Sequence, residues 1–224
     1  MTSSPENKAL RVLVAPDSFK GSLDASAVAA SIAAGVREAI PGCVVVEAPI
    51  ADGGEGTASA IAQGLQGSWQ EVDVVDANGK RIAMPFAACH SPALGPFAVL
   101  DVAEIVGLPA AVAAPGARTT RGVGQAIRAI HARGFKTIAL GLGGSSTNDA
   151  GAGMLAELAF VCRDAAGVEV VPVFDKLMQV RTLEHRPGSE WLQELHLIGL
   201  TDVSSPLNGE DGASMVFGAQ KGFQ

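Results

Sequence analysis

The stretch TIALGLGGSSTNDAGAGML, residues 137–155, predicts a buried strand, a glycine-rich loop and a helix in direct succession. Glycines at such a junction let backbone N–H groups turn toward an anion, and the helix N-terminus adds partial positive charge. A simple Gly/Ser turn that caps the helix is the alternative interpretation. The candidate phosphate-binding residues are Gly143, Gly144, Ser145, Ser146, Thr147 and Asn148, and Asp149 follows them.

Working outward from this stretch, strands and helices alternate along most of the chain, which predicts an α/β fold with a parallel sheet. The N-terminal order strand, helix, strand favours a right-handed crossover, and Asp76-Ala77-Asn78-Gly79 predicts a hairpin turn. Residues 165–167 predict a second hairpin turn, and the polar segment 179–193 is expected to be irregular surface. The predicted strands cover 10–15, 44–49, 69–75, 81–88, 98–101, 137–142 and 196–201, and the predicted helices cover 24–40, 57–63, 120–133 and a segment ending at 158.

Composition restricts the classes of partner. The net charge of −7 argues against nucleic acid and against an acidic membrane surface. The three cysteines are widely spaced and flanked by apolar residues, which is typical of reduced buried thiols. The N-terminal residues MTSSPENK lack an apolar signal region, and no apolar run reaches the ~18 residues of a membrane span. We therefore expect a cytoplasmic protein that acts on a small molecule.

A second candidate site is the loop ADGGEGT, residues 51–57, between a predicted strand and a predicted helix. Two carboxylates beside glycines suit hydrogen-bonded or metal-assisted work on a hydroxylated substrate. The alternative is that Asp52 caps the helix and Glu55 complements its dipole. Asp52 is a candidate catalytic base, and Gly53, Gly54 and Glu55 are candidate substrate ligands.

A third candidate site is PDSFKGS, residues 16–22, where Asp17, Ser18 and Lys20 follow a buried strand. A lysine just before a capped helix is well placed to hold phosphate, although a solvated surface lysine is the usual alternative. Asp202 also follows a predicted strand. In open α/β sheets ligands bind beyond the carboxyl ends of the strands, so carboxylates at several such ends favour a site.

The loop 140–146 alone is similar to the Gly-Leu-Gly-Ser-Ser stretch of the galactokinase–homoserine kinase superfamily, although the strand here enters the glycines without the upstream proline of that superfamily. A broader set of motifs occurs in order along nearly the whole chain: APDSFKGSL (15–23), PIADGGEGT (49–57), TTRGVGQAI (119–127), LGLGGSSTNDAGAGML (140–155), TDVSSPLNGEDGAS (201–214) and FGAQKG (217–222). Taken together, these motifs resemble the bacterial type-1 glycerate kinase family.

The resemblance implies a kinase that transfers phosphate from ATP, with Mg²⁺, to D-glycerate. It also implies two α/β domains, of which a Rossmann-like parallel-sheet domain is discontinuous and holds an inserted mixed α/β domain. Residues 1–67 are then the first part of the discontinuous domain and 68–224 the inserted domain. Lys20 is assigned to a phosphate or carboxylate contact, Asp149 or Asp52 to the hydroxyl-orienting base, and Asp202 to Mg²⁺.

Three departures from the family pattern stand out. Ala150 occupies a position where the family usually has a second glycine, and the family often has alanine at Ser146. Family members also continue well past FGAQKG, so we expect a C-terminally truncated member whose residues 1–67 expose an unpaired strand edge and an apolar face. A catalytically weak or inactive remnant is therefore the alternative to an active kinase.

Overall fold

The computed structural model describes residues 9–108 and 111–223. The chain divides into two compact units, Met1–Asp52 and Gly53–Gln224. This division falls earlier than the boundary near Gly67 that the sequence suggests, because the helix after the ADGGEGT loop belongs to the second unit. The assignment of 1–67 and 68–224 to a discontinuous and an inserted domain stays a prediction.

The first unit contains a strand, a helix and a second strand: β1 (Arg11–Val14), α1 (Ala25–Ala39) and β2 (Val44–Glu47). The two strands pair in parallel, as the predicted crossover requires. Helix α1 begins where the carboxylate of Asp24 accepts a hydrogen bond from the N–H of Ala27 at 2.8 Å. It ends before Pro41-Gly42, where Gly42 adopts a φ of 81°.

Among residues 9–52 the sheet of the first unit has two strands, so each strand has one edge that no other described strand pairs with. Several of its apolar side chains remain exposed, including Leu13 at 67%, Val44 at 47% and Val46 at 40%. The sequence predicts an unpaired edge and an uncovered apolar surface for residues 1–67. The structure shows both at the two strands of the first unit, whereas the helix Thr57–Leu65 belongs to the second unit.

The helices and strands of the second unit are α2 (Thr57–Leu65), β3 (Ser68–Val75), β4 (Arg81–Ser91), β5 (Gly95–Asp101), α3 (Ala103–Val106), α4 (Arg121–Ala132), β6 (Thr137–Gly141), α5 (Ala152–Leu158), β7 (Phe160–Arg163), α6 (Phe174–Leu177), β8 (Thr182–His185), β9 (His196–Leu200) and α7 (Ala213–Phe217). The unit is built on a five-stranded sheet with the strand order β3-β4-β5-β6-β9. Strands β3 to β5 are antiparallel, and β5, β6 and β9 are parallel. The structure therefore confirms the α/β class.

Both faces of the five-stranded sheet are covered by helices. On one face Phe86, Leu100 and Ile138 pack with Ile127 of α4 and are fully buried. On the other face α2 contributes alanines that pack against a smaller set of buried strand residues: Ala87, Cys89, Phe97, Val99 and Ala139. Burying a large aliphatic or aromatic side chain stabilises a fold by roughly 1.5–3 kcal/mol, so this sheet is the stable frame of the unit.

The predicted hairpin at 76–79 is confirmed, since the carboxylate of Asp76 accepts hydrogen bonds from the N–H groups of Asn78 and Lys80. The turn at 165–167 is also present, held by Asp164. The prediction of irregular structure over 179–193 is wrong at β8, which pairs with β7 in a separate antiparallel sheet. Every residue of β8 is exposed, so no apolar alternation marks it as a strand.

The remaining sequence expectations concern cysteines and membranes. All three cysteines are free, and Cys89 and Cys162 are buried as predicted, whereas Cys43 is half-buried. Across residues 9–108 and 111–223, no helix combines the length and the apolar character that crossing a bilayer requires.

Candidate functional site

The carboxyl ends of three parallel strands form the edge on which the candidate site is built. β5 ends at Asp101, β6 runs into the glycine-rich loop, and β9 runs into Thr201 and Asp202. Strands of a parallel sheet bring their carboxyl ends to one edge, and ligands bind there in open α/β sheets. The structure thus brings two of the predicted sequence sites, the loop after 142 and Asp202, to one edge of the second unit.

The glycines of the ADGGEGT loop pack directly against this edge. The N–H of Gly143 donates to the carbonyl oxygen of Gly53 at 2.9 Å. A Cβ on Gly53 would lie 2.5 Å from the carbonyl oxygen of Leu200, and a Cβ on Gly143 would lie 2.6 Å from the Cα of Gly54. These close approaches require glycine at both positions. The loops that the sequence singles out separately are therefore one packed unit.

Asp101, which the sequence reading missed, fixes the start of α2 at this edge. Its carboxylate accepts hydrogen bonds from the N–H groups of Gly56 and Ala58, both at 2.9 Å, and the residue is 5% exposed. Burial raises the pKa of this carboxyl, the nearby charges of Glu104 and Glu55 add to the rise, and the two hydrogen bonds oppose it. Asp101 ends an apolar strand, and Asp202 follows one. This position in the sequence is the feature that could have predicted a role for Asp101.

The glycine-rich loop is held by hydrogen bonds to residues that are distant in sequence, and the helix that follows it ends at Leu158 as predicted. The N–H and the hydroxyl of Ser146 both donate to the carbonyl oxygen of Val106, at 2.7 and 2.8 Å, and Ser146 is fully buried. Helix α5 begins only at Ala152, and Thr147 is buried. The loop is therefore a rigid surface whose shape depends on Ser146, and direct phosphate contact by Ser146 is not supported by its burial.

Two cationic side chains, Lys221 and Arg118, form hydrogen bonds with this loop. The ammonium of Lys221 donates to the hydroxyl of Ser145 at 3.2 Å and to the carbonyl oxygen of Thr147 at 2.8 Å. The guanidinium of Arg118 donates to the carbonyl oxygens of Ser146, at 3.3 Å, and of Lys221, at 2.8 Å. Burial lowers the pKa of Lys221, while the charge of Asp149 opposes this shift. Sequence reasoning assigned neither cation, although Lys221 lies in the FGAQKG motif.

Gly144 and Asn148 of the loop are less buried than Ser146 and Thr147. Gly144 adopts a φ of 74°, and its carbonyl oxygen accepts a hydrogen bond from the N–H of Leu108. Asn148 is half-buried, and its side-chain oxygen accepts from the hydroxyl of Ser214 at 3.1 Å. Of the predicted phosphate ligands, Ser145 and Asn148 therefore have side chains that are partly accessible.

Asp149 joins the starts of two helices. It is 1% exposed, and its Oδ2 accepts from the N–H and hydroxyl of Thr120, both at 2.8 Å, and from the N–H of Gly153 at 3.2 Å. Its Oδ1 accepts from the N–H of Gly151, also at 3.2 Å. An ionised carboxylate has about four acceptor sites, so these hydrogen bonds satisfy it. The geometry supports a positioning role between α4 and α5.

Four predicted site residues belong to the first unit. The N–H of Ser18 donates to the carboxylate of Asp17 at 2.6 Å, and both residues are half-buried. Lys20 and Asp52 are exposed. Their catalytic and substrate-binding roles stay predictions, and so does the role of Glu55, which is exposed in the second unit.

A metal ion bound to the described part of this chain would have few protein ligands. Within the described part of the chain, no group of three or more His, Cys, Asp or Glu side chains could hold a metal ion. Mg²⁺ bound together with phosphates needs only one or two protein carboxylates, because phosphate oxygens and water complete its shell. Asp202 is exposed at the end of β9 and fits that single-carboxylate mode.

Comparisons with known proteins agree on one family. Residues 12–224 match the model of the "Glycerate kinase family". The chain is 35% identical over 216 residues to a glycerate 2-kinase of Escherichia coli, and 34% identical over 216 residues to a glycerate kinase of Haemophilus influenzae. Each alignment covers 95% of this chain and 56% of the relative.

A structural comparison gives the same result. A crystal structure of a protein named as a glycerate kinase 2 from Salmonella typhimurium LT2 superposes with a TM-score of 0.80 at 36% sequence identity. The match covers 96% of this chain and 58% of that one. The chain thus spans a little over half the length of the curated relatives it matches. From the family match over nearly all of its residues, we conclude that this chain belongs to the glycerate kinase family.

Proposed function

We propose that this chain carries the phosphate-handling part of a cytoplasmic kinase that transfers the γ-phosphate of ATP to a hydroxyl of D-glycerate, with Mg²⁺, giving 2- or 3-phosphoglycerate. Family membership and the names of the similar proteins support the reaction. Phosphoryl transfer needs positioning and charge neutralisation more than covalent chemistry. The proposal therefore depends on whether the chain offers a rigid, positively charged surface for phosphates.

The observation that carries the proposal is the pair of cations at the glycine-rich loop, of which Arg118 is buried and Lys221 half-buried. Lys221 and Arg118 each bind loop atoms within hydrogen-bond distance, so both charges are fixed beside residues 145–147. A partly desolvated cation attracts an anion more strongly than a solvated one does, because less water screens its charge. This arrangement favours the bound triphosphate over an uncharged ligand.

The remaining roles divide among the predicted residues. Between the two candidate bases we favour Asp52, because Asp52 is exposed whereas Asp149 is only 1% exposed. In the second unit, Gly53, Gly54 and Glu55 are proposed as D-glycerate ligands. In the first unit, Asp17 and Ser18 are proposed as substrate ligands. Lys20 is proposed to contact a phosphate or the glycerate carboxylate.

Asp202 is proposed as the protein ligand of Mg²⁺. Bound Mg²⁺ would neutralise charge on the phosphate oxygens that face it. The chain itself supplies a rigid site. Lys221 and Arg118 form hydrogen bonds to the glycine-rich loop, and Asp149 links the starts of α4 and α5.

The test is a coupled assay of ADP formation with D-glycerate, homoserine and galactose offered in parallel, together with direct measurement of ATP binding. We expect activity with D-glycerate alone. Lys221→Met should lower ATP affinity or kcat/KM by roughly 10- to 100-fold, the effect of losing a charge-assisted contact. Lys136→Met is the matched control, because Lys136 forms an exposed ion pair with Glu194 and its loss should leave both quantities unchanged.

Lys20→Met is expected to reduce turnover to a similar extent without unfolding the protein. Activity with homoserine or galactose but not D-glycerate would contradict the proposal. Full activity of Lys221→Met would remove Lys221 from the phosphate site.

A second candidate function is anion binding without turnover. The exposed apolar strands of the first unit favour it, because a catalytic unit that holds Lys20 and Asp52 needs a well-packed frame. ATP binding with no ADP formation on any of the three acceptors would identify this function.

A further inference from the structure

A cavity of about 420 Å³ lies in the second unit, and none of the residues assigned to the kinase site lines it. It is bounded by the 76–79 turn, the starts of α4 and α5, and the segment 169–173. Its volume falls within the roughly 300–1,000 Å³ of small-molecule sites. Much of its wall is apolar, formed by Val75, Ala77, Ala156, Val170 and Pro172.

Arg186, just after β8, lines this cavity. Its Nε is buried and has no hydrogen-bond partner among the described residues. Arg186 also takes part in none of the ion pairs found within residues 9–108 and 111–223. The guanidinium of Arg186 therefore has no acceptor among the described residues, and its terminal N–H groups are the donors that an anion in the cavity can bind.

The other charged groups on the wall leave Arg186 as the available cation. Arg121 is neutralised by Glu157, whose carboxylate lies 2.8 Å from its Nε. Glu169 is exposed and lies close enough to Arg163 to raise the pKa of that guanidinium, although Glu184, which pairs with it, is the larger cause. An incoming anion would therefore meet an unpaired positive charge at Arg186.

We propose that this cavity binds a small organic anion, with a carboxylate or phosphate held by Arg186 and an apolar body against the valine and alanine wall. The planar guanidinium matches both anions in a two-point hydrogen bond. None of residues 143–149, Arg118, Asp202 or Lys221 lines the cavity, so the site is separate from the proposed kinase site and goes beyond that function.

The experiment titrates phenyl phosphate and phenylacetate into the full chain by calorimetry, with 2-phenylethanol as a neutral analogue of the same shape. We expect at least one anion to bind, and the neutral analogue to bind at least about 10-fold more weakly. The anion that binds with the higher affinity shows whether the site prefers a carboxylate or a phosphate. Arg186→Gln should lower the affinity for that anion by about 10-fold or more.

Arg163→Gln is the matched control, because Arg163 is on the same small sheet but is paired with Glu184 and does not line the cavity. It should leave binding unchanged. Ala156→Leu, which fills the cavity from α5, should abolish binding and decides the matter if Arg186→Gln does not fold. Equal affinity for the neutral analogue, unchanged binding in both cavity variants, or no binding at about 10 mM anion overturns the proposal.

Discussion

The strands β1 and β6 look alike in sequence but differ in their neighbours. Each is a short aliphatic strand that runs into a polar, glycine-containing loop and a helix. Strand β6 lies between β5 and β9, and four of its five residues are buried. Within the described part of the chain, strand β1 pairs with β2 alone, and Val14 is the one buried residue of its four. Local pattern therefore specifies a strand, whereas its burial depends on the elements around it.

The loops that follow these strands differ in the same way. The loop after β1 is closed by local contacts, such as the hydrogen bonds between Phe19 and Leu23. The loop after β6 is fixed by distant residues, among them Val106, Gly53 and Lys221. A loop with many distant partners is rigid, so it is the better candidate for a site that must hold phosphates in one geometry.

The largest expected effect is on stability. It compares a buried apolar side chain of the second unit with an exposed one of the first unit. Phe86 is fully buried in β4 and packs edge-on against Phe135, so Phe86→Ala should lower the free energy of unfolding by about 3–5 kcal/mol. Leu13 of β1 is 67% exposed, so Leu13→Ala should change it by less than about 0.5 kcal/mol. Chemical denaturation, with amide exchange to separate the two units, measures both. A loss above about 1 kcal/mol for Leu13→Ala would show that Leu13 is covered in solution.

The second contrast is between two helix-capping carboxylates. Asp149 is buried and uses both oxygens, so Asp149→Asn turns an NH₂ group toward a backbone donor and should lower the free energy of unfolding by about 1–3 kcal/mol. Asp24 is exposed and accepts one bond from Ala27. Asn caps helices as well as Asp does, so Asp24→Asn should have little effect. Equal decreases in the free energy of unfolding for Asp149→Asn and Asp24→Asn, measured by thermal or chemical unfolding, would contradict this prediction.

The third prediction concerns the buried strand-end carboxyl of the second unit. Burial raises the folded-state pKa of Asp101, so the folded protein holds this proton more tightly than the unfolded chain does. The contribution of Asp101 to stability therefore falls as pH rises from the ordinary Asp pKa through the raised one. Asp101→Asn removes this dependence. The free energy of unfolding of the wild type minus that of the variant should fall with rising pH over this window, and a flat or rising difference would contradict the shift.

Most of the fold could be predicted from local signals. Aliphatic runs, Asp24 as a cap and the turn at 76–79 are short-range features, and the structure places elements at each of them. Strand β8 could not be predicted, because its pairing with β7 is long-range and its side chains are all exposed.

The candidate site was predictable only in part, for a related reason. Glycine density marks residues 143–149 and 53–56 locally, and the structure packs these loops together. Lys221 and Arg118 lie far from the loop along the chain, and nothing in their own neighbourhood distinguishes them from surface cations. Asp149 looks like a catalytic group in sequence, but its four hydrogen bonds are visible only once α4 and α5 are side by side.

The smallest expected effect compares one backbone position in each loop. Gly21 in the loop after β1 has a φ of 75°, and Ala150 in the loop after β6 has a φ of 52°. A left-handed conformation is unfavourable for an L-residue by about 1–2 kcal/mol, and the unfolded-state entropy of glycine offsets part of this. Ala150→Gly should therefore raise the free energy of unfolding by about 0.5–1 kcal/mol.

The reciprocal change, Gly21→Ala, should lower it by a similar amount, because no atom within 4 Å opposes the added Cβ and only the backbone conformation matters. Ala132→Gly, at the exposed end of α4, controls for the substitution itself and should lose about 0.5–1 kcal/mol, since glycine is unfavourable in a helix. Chemical denaturation of the three variants gives the signs directly. A loss in Ala150→Gly as large as that in Ala132→Gly would mean that residue 150 is not held in the left-handed region, and that the turn before α5 differs from the one the structure describes.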